Sequence, residues 1–408
     1  MSSGIFQQHQ DRAAIDAEFH SRPPLDIDFS EAQVWCWALQ EIEGSSGTWS
    51  EEFNPAERHQ IIQRNDGIIR FERHTEFVSI TYVGQTAPAS EILDLIRSAP
   101  ARQLSGIKIT LSQKSNVDMA TQFPEQRLFG GGTFFDGVVV TTSFRNSDGL
   151  VPYYVTGGFD DGFGRGRLVK RLIDLEIYRS ISLLALPVVR MASDSLRELE
   201  GRAEAAVLDL SIVTREDLGG AIDSLAIILA EVGSLQSKTR YRIAASNAYY
   251  NIVRSRLDSL GEVPIGQRQT LGGFIEHRLA PAMGTIQAFD RRLEQTSLTV
   301  RSAMELARTQ LDQMSQAQNQ KLLSSMEHRT RQQVHLSQAV EGLSVAAISY
   351  YGIGLVSYVL KGLPDFTISD SLLVTLSVPV IITLSFILTR RARRRVLDLT
   401  VQNRTERD

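Results

Sequence analysis

The sequence predicts a mixed α+β (or α/β) sheet domain, a long helical stalk with coiled-coil character, and two C-terminal transmembrane helices. Strand-type segments rich in β-branched and aromatic residues dominate up to about residue 160. Helical spacing dominates after that point, and two late stretches contain no charged residue. We therefore predict an extended arm at 1–30, a sheet domain at 31–163, a stalk at 164–342, a transmembrane hairpin at 343–389 and a basic tail at 390–408.

The composition excludes several classes of protein. The formal net charge of the 408 residues is −4, whereas a protein that coats nucleic acid is usually basic. Cys36 is the single cysteine, so an internal disulfide framework is excluded, and we expect a small buried residue on a strand. The N-terminus has no apolar core of a secretory signal, so the first domain is expected in the cytoplasm.

The sheet domain follows an arm whose prolines, in EFHSRPP (18–24), disfavour helix. Two segments have helical spacing, PAERHQIIQR (55–64) and ASEILDLIRSA (89–99). Strands alternating with such helices indicate a mixed sheet. The predicted strand segments are QVWCWAL (33–39), GIIRFERHTEFVSITYV (67–83), GIKITLS (106–112), FDGVVVTTSF (135–144) and PYYVT (152–156).

The stalk is predicted to contain one or two long helices over 215–262, ended by Pro264. A second helical run begins near 267, with a kink at Pro281, and continues into the first uncharged stretch. Heptad spacing within this run indicates a coiled-coil seam that slips once, as in a stutter, and then resumes. The seam predicts a homo-oligomer but leaves the number of chains open. Its first part is Leu293, Val300, Met304, Ala307, Leu311 and Met314, and its second part is Leu322, Met326, Leu336, Val340 and Leu343.

The two uncharged stretches, 343–360 and 371–389, are each long enough for a helix to cross about 30 Å of hydrocarbon. Basic segments, HRTRQQVH (328–335) and RRARRR (390–395), flank the pair, so both ends are expected in the cytoplasm. The arginines also attract anionic lipid head groups, which makes the bilayer the expected partner and nucleic acid an unexpected one. This topology anchor consists of Arg390, Arg391, Arg393, Arg394 and Arg395.

A stripe of small and polar residues at helical spacing follows the first span. Such stripes pack helices together or line a pore, and packing is the more frequent use. Two spans cannot enclose a pore, so conduction requires several subunits. The stripe comprises Ala347, Tyr350, Gly354, Ser357 and Lys361.

The most informative polar segment is RFERHTEFVSITYV (70–83). If it is one strand, Glu72, His74 and Glu76 share a face, where two carboxylates beside a histidine suit a divalent cation or a cationic ligand. The favoured alternative is solvated charge at a strand end, or a salt-bridge network. The partners in that network are Arg70 and Arg73, and His20 and Arg22 of the arm are further candidates for closing over the strand.

A second segment, TGGFDDGFGRGR (156–167), lies between a predicted strand and a predicted helix, as an anion-binding loop does. Its spacing matches neither common phosphate-binding fingerprint, and Asp160 and Asp161 would repel phosphate, so a tight connector is the favoured interpretation. No nucleophile elbow or zinc-ligand spacing occurs in the sequence. We therefore predict no catalytic residue and leave any metal or cofactor open.

Several segments, in order along nearly the whole chain, resemble a bacterial family of membrane-anchored proteins, domain-of-unknown-function family 3422. The resemblance implies a bacterial inner-membrane anchor with both termini in the cytoplasm, and it implies no activity. The chain departs from the family at its start, QHQDRAAID (8–16). The matching segments are EFHSRPP, RFERHTEFVSITYV, GRLVKRLIDLEIYRSISLLALP, ASNAYYNIVRSRL, LGGFIEHRLAPAM and EGLSVAAISYYGIGLVSYVLKGL.

The order of cytoplasmic domain, stalk helix, first span, short loop, second span and basic tail is similar to the CorA-type magnesium channel family. That family carries Gly-Met-Asn at the outer end of the first span. Here Gly362 matches the glycine, Leu363 and Pro364 replace the rest, and Lys361 brings a positive charge, so magnesium selectivity is in question. The resemblance implies a homo-oligomer that moves or senses an ion. The alternatives are a non-conducting scaffold or signalling protein that binds a partner and, third, an enzyme acting through His74.

Overall fold

The structure is a computed structural model, and its described residues form an eight-stranded sheet and several long helices, which confirms the mixed α+β class. The chain divides into two compact units, 1–307 and 308–408. The described residues are 9–12, 15–16, 24–42, 48–54, 57–114, 117–124, 126–146, 148–159, 161–212, 217–361 and 375–391.

The sheet has the strand order β2-β3-β4-β1-β5-β8-β7-β6. Neighbouring strands are antiparallel except for β5 and β8, which are parallel. The strands are β1 (Glu31–Glu41), β2 (His59–Arg64), β3 (Gly67–Arg73), β4 (Val78–Gly84), β5 (Ala101–Ser112), β6 (Phe129–Gly132), β7 (Val139–Thr142) and β8 (Val151–Thr156).

The helices include two short ones within the sheet region and four long ones after it. A further helix covers 375–391. The named helices are α1 (Ser90–Arg97), α2 (Met119–Gln122), α3 (Gly162–Ser182), α4 (Ala185–Leu210), α5 (Leu218–Leu260) and α6 (Leu271–Lys361).

Two sequence predictions about the sheet are corrected by the strand bounds. The segment 55–64, predicted to be helical, contains β2, because its residues pair antiparallel with β3 across a two-residue turn between Arg64 and Gly67. The segment 67–83 is two strands and not one, since β3 ends at Arg73 and β4 begins at Val78. The helix predicted within 89–99 is confirmed as α1.

The two faces of the sheet carry separate apolar cores, as the alternation along β1 requires. Val34 and Cys36 face α3, in the core that also contains Leu168 and Leu172. Trp37 faces the opposite side, in the core that α1 covers. Cys36 is fully buried, as expected, and burial raises the pKa of its thiol to about 12.

Helix α3 contributes most of the apolar cover of the first face, so it belongs to the sheet core although the predicted sheet domain stops at 163. The arm segment 24–29 crosses the start of this helix. Ile27 N donates to Gly162 O at 3.2 Å, and Arg165 Nε donates to Ile27 O at 2.6 Å. Gly166 is required at the crossing, because a Cβ there would overlap the Leu25 carbonyl oxygen.

Helices α4, α5 and the first part of α6 form a bundle held by apolar contacts and polar pairs. The predicted helices over 215–262 are a single helix, α5, which ends at Gly261 in a left-handed conformation (φ 56°), before Pro264. Tyr250 Oη donates to Glu276 at 3.0 Å, which joins α5 to α6. The loop between these helices joins the bundle to the sheet, since Gly132 N donates to Val263 O at 2.9 Å.

The predicted seam divides between the two units. Leu293, Val300 and Ala307 are buried within unit 1–307, so the chain's own bundle uses the first part. Leu336 and Leu343 are 69% and 73% exposed in unit 308–408, so the second part has no cover from the described residues. A coiled coil formed by this second part remains a prediction.

Two helices are long and apolar enough to span a membrane, Leu218–Leu260 and Leu271–Val359. The second contains most of the predicted first span. The first was not predicted as a span, and its Glu231 pairs with Arg202 of α4 at 3.0 Å, which favours a place in the bundle. Of the predicted second span, 371–389, residues from 375 onward are described, and they are helical.

Candidate functional site

The turn between β3 and β4 separates the three residues that the sequence placed on one strand face. Because β3 ends at Arg73, only Glu72 lies on a strand, while His74 and Glu76 lie in the turn. His20 and Arg22 lie outside the described residues. The geometry that suggested a three-residue ligand set is therefore corrected.

Glu72 is at the centre of a buried chain of ion pairs that joins three elements. Its carboxylate accepts from Arg70 Nη2 at 2.8 Å and lies 3.4 Å from Lys170 Nζ of α3. Lys170 also lies 3.3 Å from Asp174, which pairs at 3.0 Å with Arg256 of α5. We call these five residues the ion network. The Arg70 pair is the salt-bridge alternative that the sequence favoured.

Burial and charge act in opposite directions on Glu72. Burial raises the pKa of this carboxyl, but Lys170 and Arg70 outweigh burial, so the pKa lies below its ordinary value. The pKa of Lys170 is likewise raised, because Asp174 and Glu72 outweigh burial, which lowers it. Glu72 and Lys170 therefore hold each other in the charged state.

The space beside the ion network is too small for a substrate. The cavity between Glu72, Lys170 and Gly166 measures about 20 Å³. A water molecule occupies a cavity of roughly this size, and organic ligands need several hundred cubic ångströms. The arrangement thus fixes α3 and α5 to the sheet and has no room for chemistry on an organic substrate.

Glu76 forms a second link, between the β3–β4 turn and α5. Its Oε2 accepts from Arg242 and from Tyr249, each at 2.8 Å. Burial raises the pKa of Glu76, but hydrogen bonds from Arg242 and the neighbouring tyrosines outweigh it, and the net shift is downward. Oε2 thus binds side chains of the same chain, while Oε1 is buried without a hydrogen-bond partner among the described residues.

His74 lies in the turn between β3 and β4. Its ring stacks on Phe77 with centroids 4.2 Å apart, and Nε2 lies 3.2 Å from Ser79 Oγ. Ser79 Oγ in turn donates to Glu72 at 3.5 Å. No group of three metal-ligating side chains occurs among the described residues. The divalent-cation interpretation therefore stays a prediction.

In its described part, the glycine-rich segment packs against other residues of the same chain. Asp161 caps α3 by accepting from Gly164 N, and the arm lies against Gly162 and Gly166. One backbone N–H of this helix start, Gly164 N, thus has a partner in the same segment, and the arm covers the glycines beside it. This favours the connector interpretation over an anion cradle.

The sequence identified Arg70 but not the helical partners of Glu72 and Glu76, nor the pair that extends the ion network. Lys170, Asp174, Arg242 and Arg256 belong to helices far along the chain. One signal was available, because Lys170 and Asp174 stand four residues apart on a helix whose buried residues are mainly apolar. A charged pair on a buried face usually has further partners.

In unit 308–408, one side of the first predicted span contacts the helix 375–391, and the side that carries the stripe is open. A Cβ built at Gly352 would lie 2.9 Å from Ile381 Cγ2, so this side of α6 contacts helix 375–391. A Cβ at Gly354 would meet nothing within 4 Å, and Tyr350 is 76% exposed. Gly352 and Gly354 are about 200° apart on a helix, so the stripe lies opposite the second helix.

This open side continues the heptad phase of the stalk. Leu336, Leu343, Tyr350 and Ser357 are separated by seven residues each, and all lie in the continuous helix α6. The second heptad position follows the same rule and contains Val340, Ala347 and Gly354. The predicted seam and the stripe therefore share one heptad phase.

The remaining predicted residues are only partly described. Lys361 is the last residue of α6, and Gly362, Leu363 and Pro364 lie outside the described residues. Arg390 and Arg391 end the helix 375–391 and are exposed. Arg393, Arg394 and Arg395 lie outside the described part of the chain.

The comparisons with known proteins identify one relationship. The family model described as Protein of unknown function (DUF3422) matches residues 7–396. No curated protein and no solved structure matches the chain. The resemblance to CorA-type channels therefore has no support from these comparisons and rests on the order of the segments.

Proposed function

The chain belongs to the DUF3422 family of proteins of unknown function, and we propose that it is a homo-oligomeric membrane protein of CorA-like architecture that moves or senses an ion. The observation that carries this proposal is the shared heptad phase of the stalk and the first span. In a parallel oligomer, residues at one heptad phase face the common axis. Tyr350, Gly354 and Ser357 then surround that axis.

The second helix supports the same arrangement. Because it contacts α6 at Gly352, opposite Gly354, it leaves the axial side of the first span free. Each copy would then place helix 375–391 on the lipid side. Four or more such copies would enclose a path lined by the Tyr350 hydroxyl and the Ser357 hydroxyl, which are ligands that a hydrated cation tolerates.

The proposed location is the bacterial inner membrane, with both termini in the cytoplasm. Arg390 and Arg391 end the second helix, and Arg329 and Arg331 precede the first predicted span. Cationic residues remain on the cytoplasmic side of membrane helices. The sheet and bundle of unit 1–307 are then cytoplasmic.

Cysteine cross-linking of the full chain in liposomes tests the axial arrangement. Tyr350→Cys and Gly354→Cys should form disulfide-linked oligomers on mild oxidation, and Leu355→Cys, which is exposed but off the seam, should not. Cys36 gives no background because it is buried. Equal cross-linking at Gly354→Cys and Leu355→Cys would contradict the shared seam.

Flux measurements test the ion itself. Proteoliposomes loaded with a cation-sensitive dye should show flux that Tyr350→Ala and Ser357→Ala change, while Leu355→Ala leaves it unaltered. Flux that is the same in all three variants contradicts an axial path. Native mass in mild detergent, corrected for bound detergent, gives the number of copies.

A non-conducting scaffold or signalling protein is the second proposal, and one observation favours it. Gly354 and Ser357 are small, and small residues at helical spacing allow two helices to pack closely. A dimer would use this surface completely and leave no path for an ion. A dimeric native mass together with cross-linking at Gly354→Cys would select this proposal, in which unit 1–307 binds the partner.

A further inference from the structure

A separate cavity lies on the face of the sheet opposite α3. It measures about 370 Å³, which is within the range of small-molecule sites. Three adjacent strands form its floor, because Lys108 of β5 pairs in register with Trp35 of β1 and with Pro152 of β8. The residues after α2 and after β7 form its walls and include Gln122, Phe123, Gln126, Arg145 and Asn146.

The charge of this cavity is mainly positive. Lys108 and Arg145 line it, and among the described residues neither forms an ion pair with a carboxylate. Lys108 Nζ instead lies 4.8 Å from the centre of the Trp35 ring, which holds the ammonium at the cavity floor. Among the described residues of the lining, Asp148 is the one acidic residue, so two described cations face one carboxylate.

The walls also contain polar atoms without partners. Trp35 Nε1 and Gln126 Oε1 are shielded from solvent and have no hydrogen-bond partner among the described residues. One is a donor and the other an acceptor, and leaving either unpaired costs free energy. A bound molecule that carries a hydrogen-bond acceptor and a hydroxyl or amino donor offers a partner to each atom, once the side chains of Trp35 and Gln126 turn toward it.

The loop that carries Arg145 has a fixed and uncommon backbone. Phe144 has φ 54° and Asp148 has φ 53°, both in the left-handed region that non-glycine residues rarely adopt. These two positions lie on either side of Arg145 and Asn146. Uncommon backbone of this kind is found at binding sites more often than elsewhere.

We propose that this cavity binds a small organic anion, one that carries a phosphate or carboxylate group together with a hydroxyl or amino group. Lys108 and Arg145 contact the anionic group. The amides of Gln122, Gln126 and Asn146 contact the polar remainder. The site belongs to the sheet of unit 1–307 and is independent of the membrane helices, so it stands whether or not the protein conducts ions.

Titration calorimetry on the full chain in detergent tests the proposal, with glycerol 3-phosphate and citrate as the two probes. At least one should bind saturably, and the preferred probe identifies phosphate or carboxylate as the recognised group. Lys108→Met and Arg145→Gln should each weaken binding about tenfold or more, the effect of losing one charge-assisted hydrogen bond. Lys238→Met, an exposed lysine of α5, is the matched control and should bind as the unaltered chain does.

Thermal melting of each variant separates binding from folding. If Lys108→Met fails to fold, the loop variant Arg145→Gln carries the test, because its side chain is exposed. The proposal is overturned if neither probe binds, or if binding persists unchanged in the folded variants. Equal weakening by Lys238→Met also overturns it, since binding would then reflect overall charge.

Discussion

At the scale of the residue, substitution of Glu72 has the largest predicted effect on the free energy of unfolding. Glu72→Gln keeps the shape but removes the negative charge that faces Arg70 and Lys170. Removing one partner of a buried ion pair costs about 3–5 kcal/mol, so we expect a loss near 3 kcal/mol in the free energy of unfolding. Denaturant titration measures it. Glu231→Gln, in the exposed pair with Arg202, is the control and should change stability little.

The same carboxylate predicts the response to acid. The pKa of Glu72 is lowered in the folded state, so the unfolded chain takes up the proton first as the pH falls below about 4.5. The stability that Glu72 contributes is therefore present above that pH and decreases below it. The difference between the unaltered chain and Glu72→Gln should narrow from pH 5 to pH 3.5. A constant difference would show that the pKa is not lowered.

Replacing Gly166 by alanine is predicted to lower the stability of the fold, whereas helix propensity alone predicts a gain. Alanine normally stabilises a helix interior relative to glycine by about 1 kcal/mol, and Gly201→Ala in α4, where nothing lies within 4 Å, should do so. Gly166→Ala should instead destabilise by about 1–3 kcal/mol, because its Cβ overlaps Leu25 O. Parallel melting curves of the two variants measure the opposite signs. Stabilisation by both would mean that the arm does not lie against α3.

The residue scale also shows where the sequence is informative about the candidate site. The pair of Arg70 and Glu72 is two residues apart on one strand, so strand alternation suggests it directly. Lys170 comes 98 residues after Glu72, and only the packing of α3 on the sheet brings the two together. The local sequence pattern carries no information about such a contact. A strand face with solvated charges and a strand face with a buried ion network therefore have the same sequence pattern.

At the scale of the element, periodicity predicts long helices well and short segments poorly. Helix α6 keeps its spacing over many turns, and the prediction of a continuous helix into the first uncharged stretch agrees with its bounds. The segment that contains β2 is only ten residues long, with Ile61 and Ile62 adjacent, so its pattern fits a helix or a strand. Pairing with β3 decides between them, and that pairing is tertiary.

Substitutions in the two parts of the α6 seam are predicted to destabilise the protein in two different ways. Leu293 is buried in unit 1–307, so Leu293→Ala should lower the free energy of unfolding by about 2–5 kcal/mol at every protein concentration. Leu336 is exposed in unit 308–408, so Leu336→Ala should act only through contacts between copies. Its effect should therefore be largest at concentrations where the copies are associated, and should shrink as dilution separates them. Melting in detergent over a hundredfold range of concentration measures both, and a concentration-independent loss for Leu336→Ala would contradict the seam.

At the scale of the whole molecule, the division at residues 307 and 308 separates two different kinds of exposed surface. Unit 1–307 contains both cores of the sheet and the buried part of the α6 seam. In unit 308–408, Leu343, Tyr350 and Leu355 are all largely exposed. Contiguous apolar surface of this extent is typical of an interface with lipid or with another chain. The exposed apolar surface that the proposed membrane location requires therefore lies after residue 307.

This division predicts the behaviour of a shortened chain. A fragment of residues 1–307 retains the sheet, the ion network and the bundle, so it should fold and remain monomeric in buffer without detergent. The full chain should require detergent and should be oligomeric. Circular dichroism and light scattering after gel filtration measure fold and mass for both. A fragment that aggregates would show that unit 1–307 depends on the later helices, whereas a dimeric fragment would place an interface between copies on the bundle and not on the seam beyond Leu322.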